Sequence, residues 1–241
     1  MGHYLIVGAT GGIGSATARL LAAGGHRLHL VARDAARLQA LAGELGAGCS
    51  VADAAVPQEL AGLAAAAGPV LDGLLYAVGT LALKPLARLA PEDCLQDFRL
   101  NALGAALAVQ AALPALKQSP GVASVVLFSS VAVRQGFASH ASIGMAKGAV
   151  EGLVTSLGAE LAPKVRVNAI APSLTRTPLA RGLLASEPLA AAIAALHPLQ
   201  RLGEPGDVAE LAAFLLGPQA GWITGQVIGV DGGRSTLRTK G

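Results

Sequence analysis

The chain has 241 residues, 53% of them hydrophobic and 14% charged, with a formal net charge of +3. That length can bury a substantial core, as one large domain or two small ones. The basic balance is mild, its charges are scattered residues such as Arg234, Arg238 and Lys240, and aromatics make up only 3%, which excludes a nucleic-acid partner because there is neither a basic track nor a stacking surface.

A mean hydropathy of +0.55 raises the question of a membrane. The longest apolar stretches, such as 102–109, are cut by Gln110 and Pro114, short of the roughly 20 residues that a spanning helix needs. No basic segment precedes an apolar one at the start, so no secretory signal is expected. Ile6 stands where a myristoylation signal requires Ser or Thr. Cys49 and Cys94 are too few and too far apart for a zinc site, and a disulfide is not expected in a chain of cytoplasmic type. Both read as small buried hydrophobes, and no metal is expected.

Along the chain, short apolar runs alternate with longer amphipathic stretches. Tyr4–Val7, Leu28–Val31, Leu74–Val78, Val122–Phe128, Val165–Ile170 and Val227–Val230 read as strands. Their apolar character is mostly continuous rather than alternating, as in parallel strands covered on both faces. Helical patterns lie between them, at Ile13–Ala23, Ala35–Leu45, Gln58–Ala66, Glu92–Leu116, His140–Leu161 and Asp207–Leu216. This alternation predicts a single α/β domain, a Rossmann-type doubly wound parallel sheet with helices on both faces. One stretch, Ser173 to Pro205, falls outside the alternation and carries Pro178, Pro188 and Pro198. An excursion of this length in such a fold is expected to be a lid over a ligand site.

The first apolar run leads directly into Gly8-Ala9-Thr10-Gly11-Gly12-Ile13-Gly14. Glycines at 8, 12 and 14 permit a tight turn and close approach to a pyrophosphate, whose charge then sits at a helix N-terminus. The second run ends in Val31-Ala32-Arg33-Asp34. A carboxylate at position 32 would bond the ribose hydroxyls of NAD and repel an added phosphate, whereas Arg33 can pair with a 2′-phosphate. The other reading of this corner is a solvated Arg33 with Asp34 as the N-cap of the next helix. NADP(H) is favoured over NAD(H).

The spacing of the glycines, with the motifs that follow, resembles the short-chain dehydrogenase/reductase family over essentially the whole chain. The resemblance assigns Thr10 and Ile13 to the cofactor loop and Asp53 to the adenine ring. It places Tyr76-Ala77-Val78-Gly79 at the Asn-Asn-Ala-Gly site, so that Ala77 and Gly79 face the cofactor. It puts a catalytic asparagine at Asn101, a catalytic serine at Ser130 and a catalytic, ribose-holding lysine at Lys147. Asn168-Ala169-Ile170-Ala171-Pro172-Ser173, then Thr177, resembles the Pro-Gly segment, with Ser173 in place of glycine; Pro172 and Thr177 are then cofactor contacts. Arg201-Leu202-Gly203-Glu204-Pro205 and Asp231-Gly232-Gly233 complete the pattern.

One position departs from it. Thirteen residues after Ser130 and four before Lys147, where the family carries its catalytic tyrosine, stands Ile143. An isoleucine can neither give nor take a proton, and losing a general acid costs about 10² to 10⁴ in rate. Three replacements are open: His140, a relayed water, or the substrate itself. His140-x-x-Ile143-x-x-x-Lys147 is similar to the Tyr-x-x-Met-x-x-x-Lys of the enoyl-acyl-carrier-protein reductases, and histidine titrates near neutrality. Ser142 is the other nearby hydroxyl, but it points about 100° away from position 143 on a helix.

These features predict an NADP(H)-dependent oxidoreductase acting on an apolar carbonyl, alcohol or enone with non-standard proton delivery, an enoyl-reductase-like use of His140 being one form of it. The alternative is a non-catalytic dinucleotide-binding protein, either a redox-cofactor sensor or a partner subunit. The helices at Glu92–Leu116 and His140–Leu161 carry more Leu, Ala and Val than one buried face requires, and the resemblance implies pairing through them. A homo-tetramer or homo-dimer is expected.

Overall fold

The computed structural model describes residues 1–239; Lys240, one of the scattered basic residues, lies outside the described residues. Seven strands run β1 His3–Val7, β2 Arg27–Ala32, β3 Gly48–Val51, β4 Gly73–Tyr76, β5 Ala123–Phe128, β6 Val165–Pro172 and β7 Val227–Val230. The helices are α1 Gly12–Ala23, α2 Ala35–Leu45, α3 Pro57–Ala61, α4 Leu63–Ala67, α5 Pro91–Phe98, α6 Gly104–Lys117, α7 Val131–Arg134, α8 Ala141–Leu161, α9 Arg181–Leu184, α10 Glu187–Ala195 and α11 Pro205–Leu216.

All strands pair in parallel, in the order β3-β2-β1-β4-β5-β6-β7. The single-domain α/β sheet is therefore the expected one. Two apolar layers flank it. One joins Leu5, Leu74, Val125 and Val167 to α6 and α8. The other joins Ile6, Leu30, Leu75 and Val126 to α1, α2 and α11. Neighbouring residues of one strand feed opposite layers, which is why the runs read as continuously apolar.

Three features depart from the expectation. Strand β3 was not among the apolar runs, because Gly48, Cys49 and Ser50 form a sheet edge that faces solvent. For the same reason Cys49 is exposed, while Cys94 is half-buried on α5; both thiols are free, which corrects their reading as buried hydrophobes. The expected 58–66 helix is two short ones that break at Gly62. Finally, α5 runs through a π turn, Arg99–Leu103, into α6. Pro91–Lys117 is thus one continuous helix of 27 residues, within which an 18-residue window has mean hydropathy 1.3, long and apolar enough to cross a membrane. Half of that window is buried inside the fold, and buried Asp97 and Asn101 lie on the helix, as in a core helix.

Tyr76 ends β4 inside the core, where its hydroxyl donates to Leu100 O at 2.7 Å. Burial first, and then the charge of Asp53, raises its pKa far above the ordinary phenol value. Gly104 makes room for it: a Cβ at Gly104 would overlap the Tyr76 hydroxyl. We expect Gly104→Ala to lower unfolding free energy by about 1–3 kcal/mol, as overpacking does. Tyr76→Phe combined with it should recover part of that loss, read by urea unfolding of the single and double variants.

Candidate active site

The carboxyl ends of β1 and β4 part at the point where strand order reverses, the place where this class of sheet opens a ligand crevice. Gly8 leaves β1 with φ +86°, and a Cβ there would lie 2.7 Å from the Ala77 carbonyl. A Cβ at Gly14 would overlap the Gly8 carbonyl oxygen, and one at Gly12 would lie 2.7 Å from Thr177 Cγ2. The glycines therefore let the loop close on itself, on β4 and on the segment after β6 at once. Arg37 braces the loop from α2, donating from Nη2 to Thr10 O at 2.8 Å.

Arg33 is exposed at the end of β2, with Ala32 buried before it. Asp34 is the N-cap of α2, accepting from the Arg37 N–H at 3.1 Å. Both halves of the simpler reading, an exposed Arg33 and a capping Asp34, are therefore present. Asp53 lies beyond β3, where its carboxylate accepts from Ala55 N–H at 2.9 Å.

Ser130, Asn101 and Lys147 come from three different elements. Ser130 follows β5 and caps α7, its oxygen accepting from Ala132 N–H at 3.1 Å; the hydroxyl proton stays available to a carbonyl. Lys147 is buried on α8 and donates from Nζ to Phe128 O at 2.8 Å. Burial draws its pKa down to about 8, against the opposing charge of Asp97.

Asn101 sits in the π turn. Its amide donates to Asp97 O and to Thr80 Oγ1, each at 2.8 Å. Its carbonyl oxygen is buried without a hydrogen-bond partner among the described residues. A Cβ at Gly79 would stand 2.9 Å from that oxygen and 3.4 Å from Lys147 Nζ. An orphaned acceptor and a cationic donor thus face the space that Gly79 leaves free. This donor set fits the hydroxyls of a nicotinamide ribose.

The Asp97 carboxylate behind them is almost fully buried. It accepts from Thr80 Oγ1 at 2.6 Å and from Ser142 Oγ. Ser142 is thereby turned away from the ligand side, as its helical position predicts.

A cavity of about 360 Å³ opens over this cluster. Ser130, Lys147, Ile143, Thr80, Ala77, Gly79, Ile13, Pro172 and Thr177 line it, together with apolar side chains such as Leu81, Leu174, Leu179 and Leu189. Asn101 and Gly8 stand behind this wall rather than on it. The segment 173–205 supplies much of the far wall through η-turn Pro178–Ala180, α9 and α10. Ile143 is 3% exposed and contributes hydrocarbon to the wall. Neither tyrosine of the chain replaces it, since Tyr4 and Tyr76 are both core residues.

His140 lines the same cavity as the N-cap of α8. Its Nδ1 donates to Ala138 O at 2.8 Å, and its ring tilts against Phe137 at 5.3 Å. The Arg234 guanidinium lies over the Phe137 ring, 5.0 Å from its centroid. Sequence reasoning missed Arg37, Thr80 and Asp97. No motif marks them; only the period of α5 places Asp97 one turn before Asn101.

The family model described as Enoyl-(Acyl carrier protein) reductase matches residues 8–235. A tropinone reductase homolog of Arabidopsis thaliana is 36% identical over 239 residues, covering 95% of this chain and 90% of its own length. A Xanthobacter autotrophicus protein named inactive 2-(S)-hydroxypropyl-CoM dehydrogenase 2 is 35% identical over 231 residues, covering 91% of this chain and all of its own. Among solved structures, a variant actinorhodin polyketide ketoreductase with NADPH superposes with a TM-score of 0.90 at 30% identity, over 98% of each chain. The glycine loop under β1, the Ser130, Asn101 and Lys147 cluster and these matches along nearly the full length make the chain a member of the short-chain dehydrogenase/reductase family.

Proposed function

We propose that the protein is an NADP(H)-dependent oxidoreductase of an apolar carbonyl, alcohol or enone, in which a group other than tyrosine handles the proton. The observation that carries this reading is the convergence of Ser130 and Lys147 on one apolar cavity, with the orphaned Asn101 oxygen behind Gly79. A nicotinamide cofactor, when bound, supplies or accepts the hydride. Gly8, Thr10, Gly12, Ile13 and Gly14 would hold its pyrophosphate, Asp53 its adenine, and Ala77, Gly79, Pro172 and Thr177 its nicotinamide half. Lys147 grips the ribose, Ser130 donates to the substrate oxygen, and 173–205 acts as a lid.

A second reading is favoured by Ile143 itself, and by the relative whose name calls it inactive. Here the chain binds a dinucleotide without turnover, as a sensor or partner subunit. NADPH oxidation over a panel of apolar ketones and enoyl thioesters, beside a direct NADPH titration, separates the two. Turnover of any member supports the oxidoreductase. Binding without turnover across the panel supports the second reading, and activity gained by Ile143→Tyr would then locate the loss at that position.

Cofactor choice rests on Arg33 and Ala32. NADPH should bind about tenfold tighter than NADH, because the guanidinium pairs with the 2′-phosphate and no carboxylate opposes it. Arg33→Ala should erase most of that difference in fluorescence titrations, and equal affinities in the unmutated protein would refute it.

We also propose a homo-oligomer, a tetramer or dimer. Leu95 and Phe98 of α5, Leu103 in the π turn and Met145 of α8 are all exposed, an apolar surface of the kind that subunit contacts cover. Light scattering at micromolar concentration should return a multiple of the 23.9 kDa chain mass; the mass of a single chain would contradict it.

A further inference from the structure

At the wall of the cavity formed just after β6, Ser173 and His197 form a pair. Ser173 is half-buried just beyond β6, and its Oγ lies 2.8 Å from His197 Nε2. His197 is buried just beyond α10, and its Nδ1 lies 2.9 Å from Ile193 O. A carbonyl oxygen only accepts, so Nδ1 carries a proton. In the neutral ring Nε2 is then the acceptor, and the Ser173 hydroxyl donates to it. This is the arrangement of an activated hydroxyl: a base within hydrogen-bond reach, held in one tautomer by a third group.

Position settles what the pair can reach. Ser173 lines the main cavity together with Ser130, Ile143 and Lys147. It also lines a second cavity of about 250 Å³, which contains His197. Exposed Arg201 and Glu210 stand on the rim of that second cavity, so it meets solvent. Ser130 and Ser173 leave the sheet at the carboxyl ends of β5 and β6, adjacent parallel strands about 4.8 Å apart. Both serines line one cavity, so Ser130 can hold a substrate oxygen while Ser173 exchanges a proton with it.

We infer that Ser173 and His197 are the proton-delivering couple of this site, taking over the task for which the chain lacks a tyrosine. The inference rests on the oxidoreductase reading above. In the reducing direction the carbonyl carbon gains a hydride from the reduced nicotinamide cofactor, and the carbonyl π bond breaks. The oxygen takes the proton of the Ser173 hydroxyl, forming the alcohol O–H. Ser173 Oγ takes the Nε2 proton of the His197 imidazolium, and the neutral ring is recharged from solvent through the second cavity. Oxidation of an alcohol runs each transfer backwards.

The surroundings of the ring carry negative charge. The ring hydrogen-bonds the last turn of α10, where the helix carries partial negative charge. The charged groups lining its cavity are Asp231, Glu210 and the Arg201–Asp207 pair, a net negative set. On the main-cavity side the charged and titratable groups are Lys147, His140 and Arg234.

The test compares Ser173→Ala, His197→Gln and His140→Ala with the unmutated protein in NADPH oxidation over the carbonyl panel and in NADPH titration. Nitrogen-15 NMR of labelled histidine adds a readout that needs no substrate. Expected are a drop in kcat of about 10²-fold or more for Ser173→Ala and for His197→Gln, nearly unchanged NADPH affinity, and loss of the acid-dependent limb of the pH profile. His197 should show a neutral ring protonated at Nδ1 that gains its second proton on acidification, with the Nε2 resonance moved by Ser173→Ala. Ser173→Ala removes only one hydroxyl and keeps the test valid should His197→Gln fail to fold.

Several results would overturn the couple. A Ser173→Ala protein that binds NADPH and turns over at the unmutated rate would reduce the pair to a structural tie, even if its melting temperature fell. Turnover abolished by His140→Ala alone would place the donor at the start of α8. A neutral His197 protonated at Nε2 would reverse the hydrogen bond on which the transfer depends. No turnover by the unmutated protein with NADPH bound would remove the oxidoreductase reading and the couple with it, an outcome distinct from turnover that ignores Ser173.

Discussion

A carboxylate removed from water costs several kcal/mol unless donors replace its hydration, and Asp97 is 1% exposed. Its donors are Thr80 from the stretch after β4 and Ser142 from the first turn of α8. Asn101 then ties Thr80 back to the Asp97 carbonyl. Three segments distant in sequence are fixed by one charge. The stretch through Gly79 and Thr80, the π turn with Asn101 and the start of α8 with Ile143 and Lys147 all take their places from it. Loss of any one donor would leave a buried charge short of partners, so the network holds as a unit or not at all. The site's geometry therefore rests on Asp97, a residue that does not line the cavity.

The same network explains why Lys147 is more than a retained family residue. Its ammonium is desolvated to the point that its pKa falls to about 8, and the charge of Asp97 opposes that fall. Without a tyrosine to polarise, the positive charge has two remaining uses. It can hold a ribose hydroxyl, and it can bias the field over the cavity toward a developing alkoxide. Both uses depend on Asn101 and Gly79 keeping the space in front of Nζ open.

Much of the architecture was legible in the chain because burial on both faces of a parallel sheet leaves continuous apolar runs. β1, β2, β5, β6 and β7 follow those runs to within a residue or two. Edge strand β3 left no such trace, since Gly48, Cys49 and Ser50 need no apolar character to pair on one side only. The glycine loop was legible because only glycine permits the approaches at positions 8, 12 and 14. The pairing of Tyr76 with Gly104 was not, because it joins two residues 28 positions apart that make sense only together. Ser173 stood out in the sequence as a departure from glycine, but no motif linked it to His197, 24 positions on. What could not be read was that the return of 173–205 across the cavity sets one against the other.

Ile143 bears on where a substrate oxygen can lie. A carbonyl oxygen turned toward it would lose its water and find no donor, at a cost of about 1–3 kcal/mol. That penalty is avoided only if the oxygen turns toward the hydroxyls at the ends of β5 and β6. Ser130 offers a free proton there because its own oxygen is occupied as the cap of α7. Ser173 stands on the neighbouring strand, with a buried imidazole behind it and a second cavity behind that. The hydrocarbon at position 143 thus works as an orienting wall. By making one side of the cavity hostile to oxygen, it directs the reacting atom to the side where a proton can be supplied.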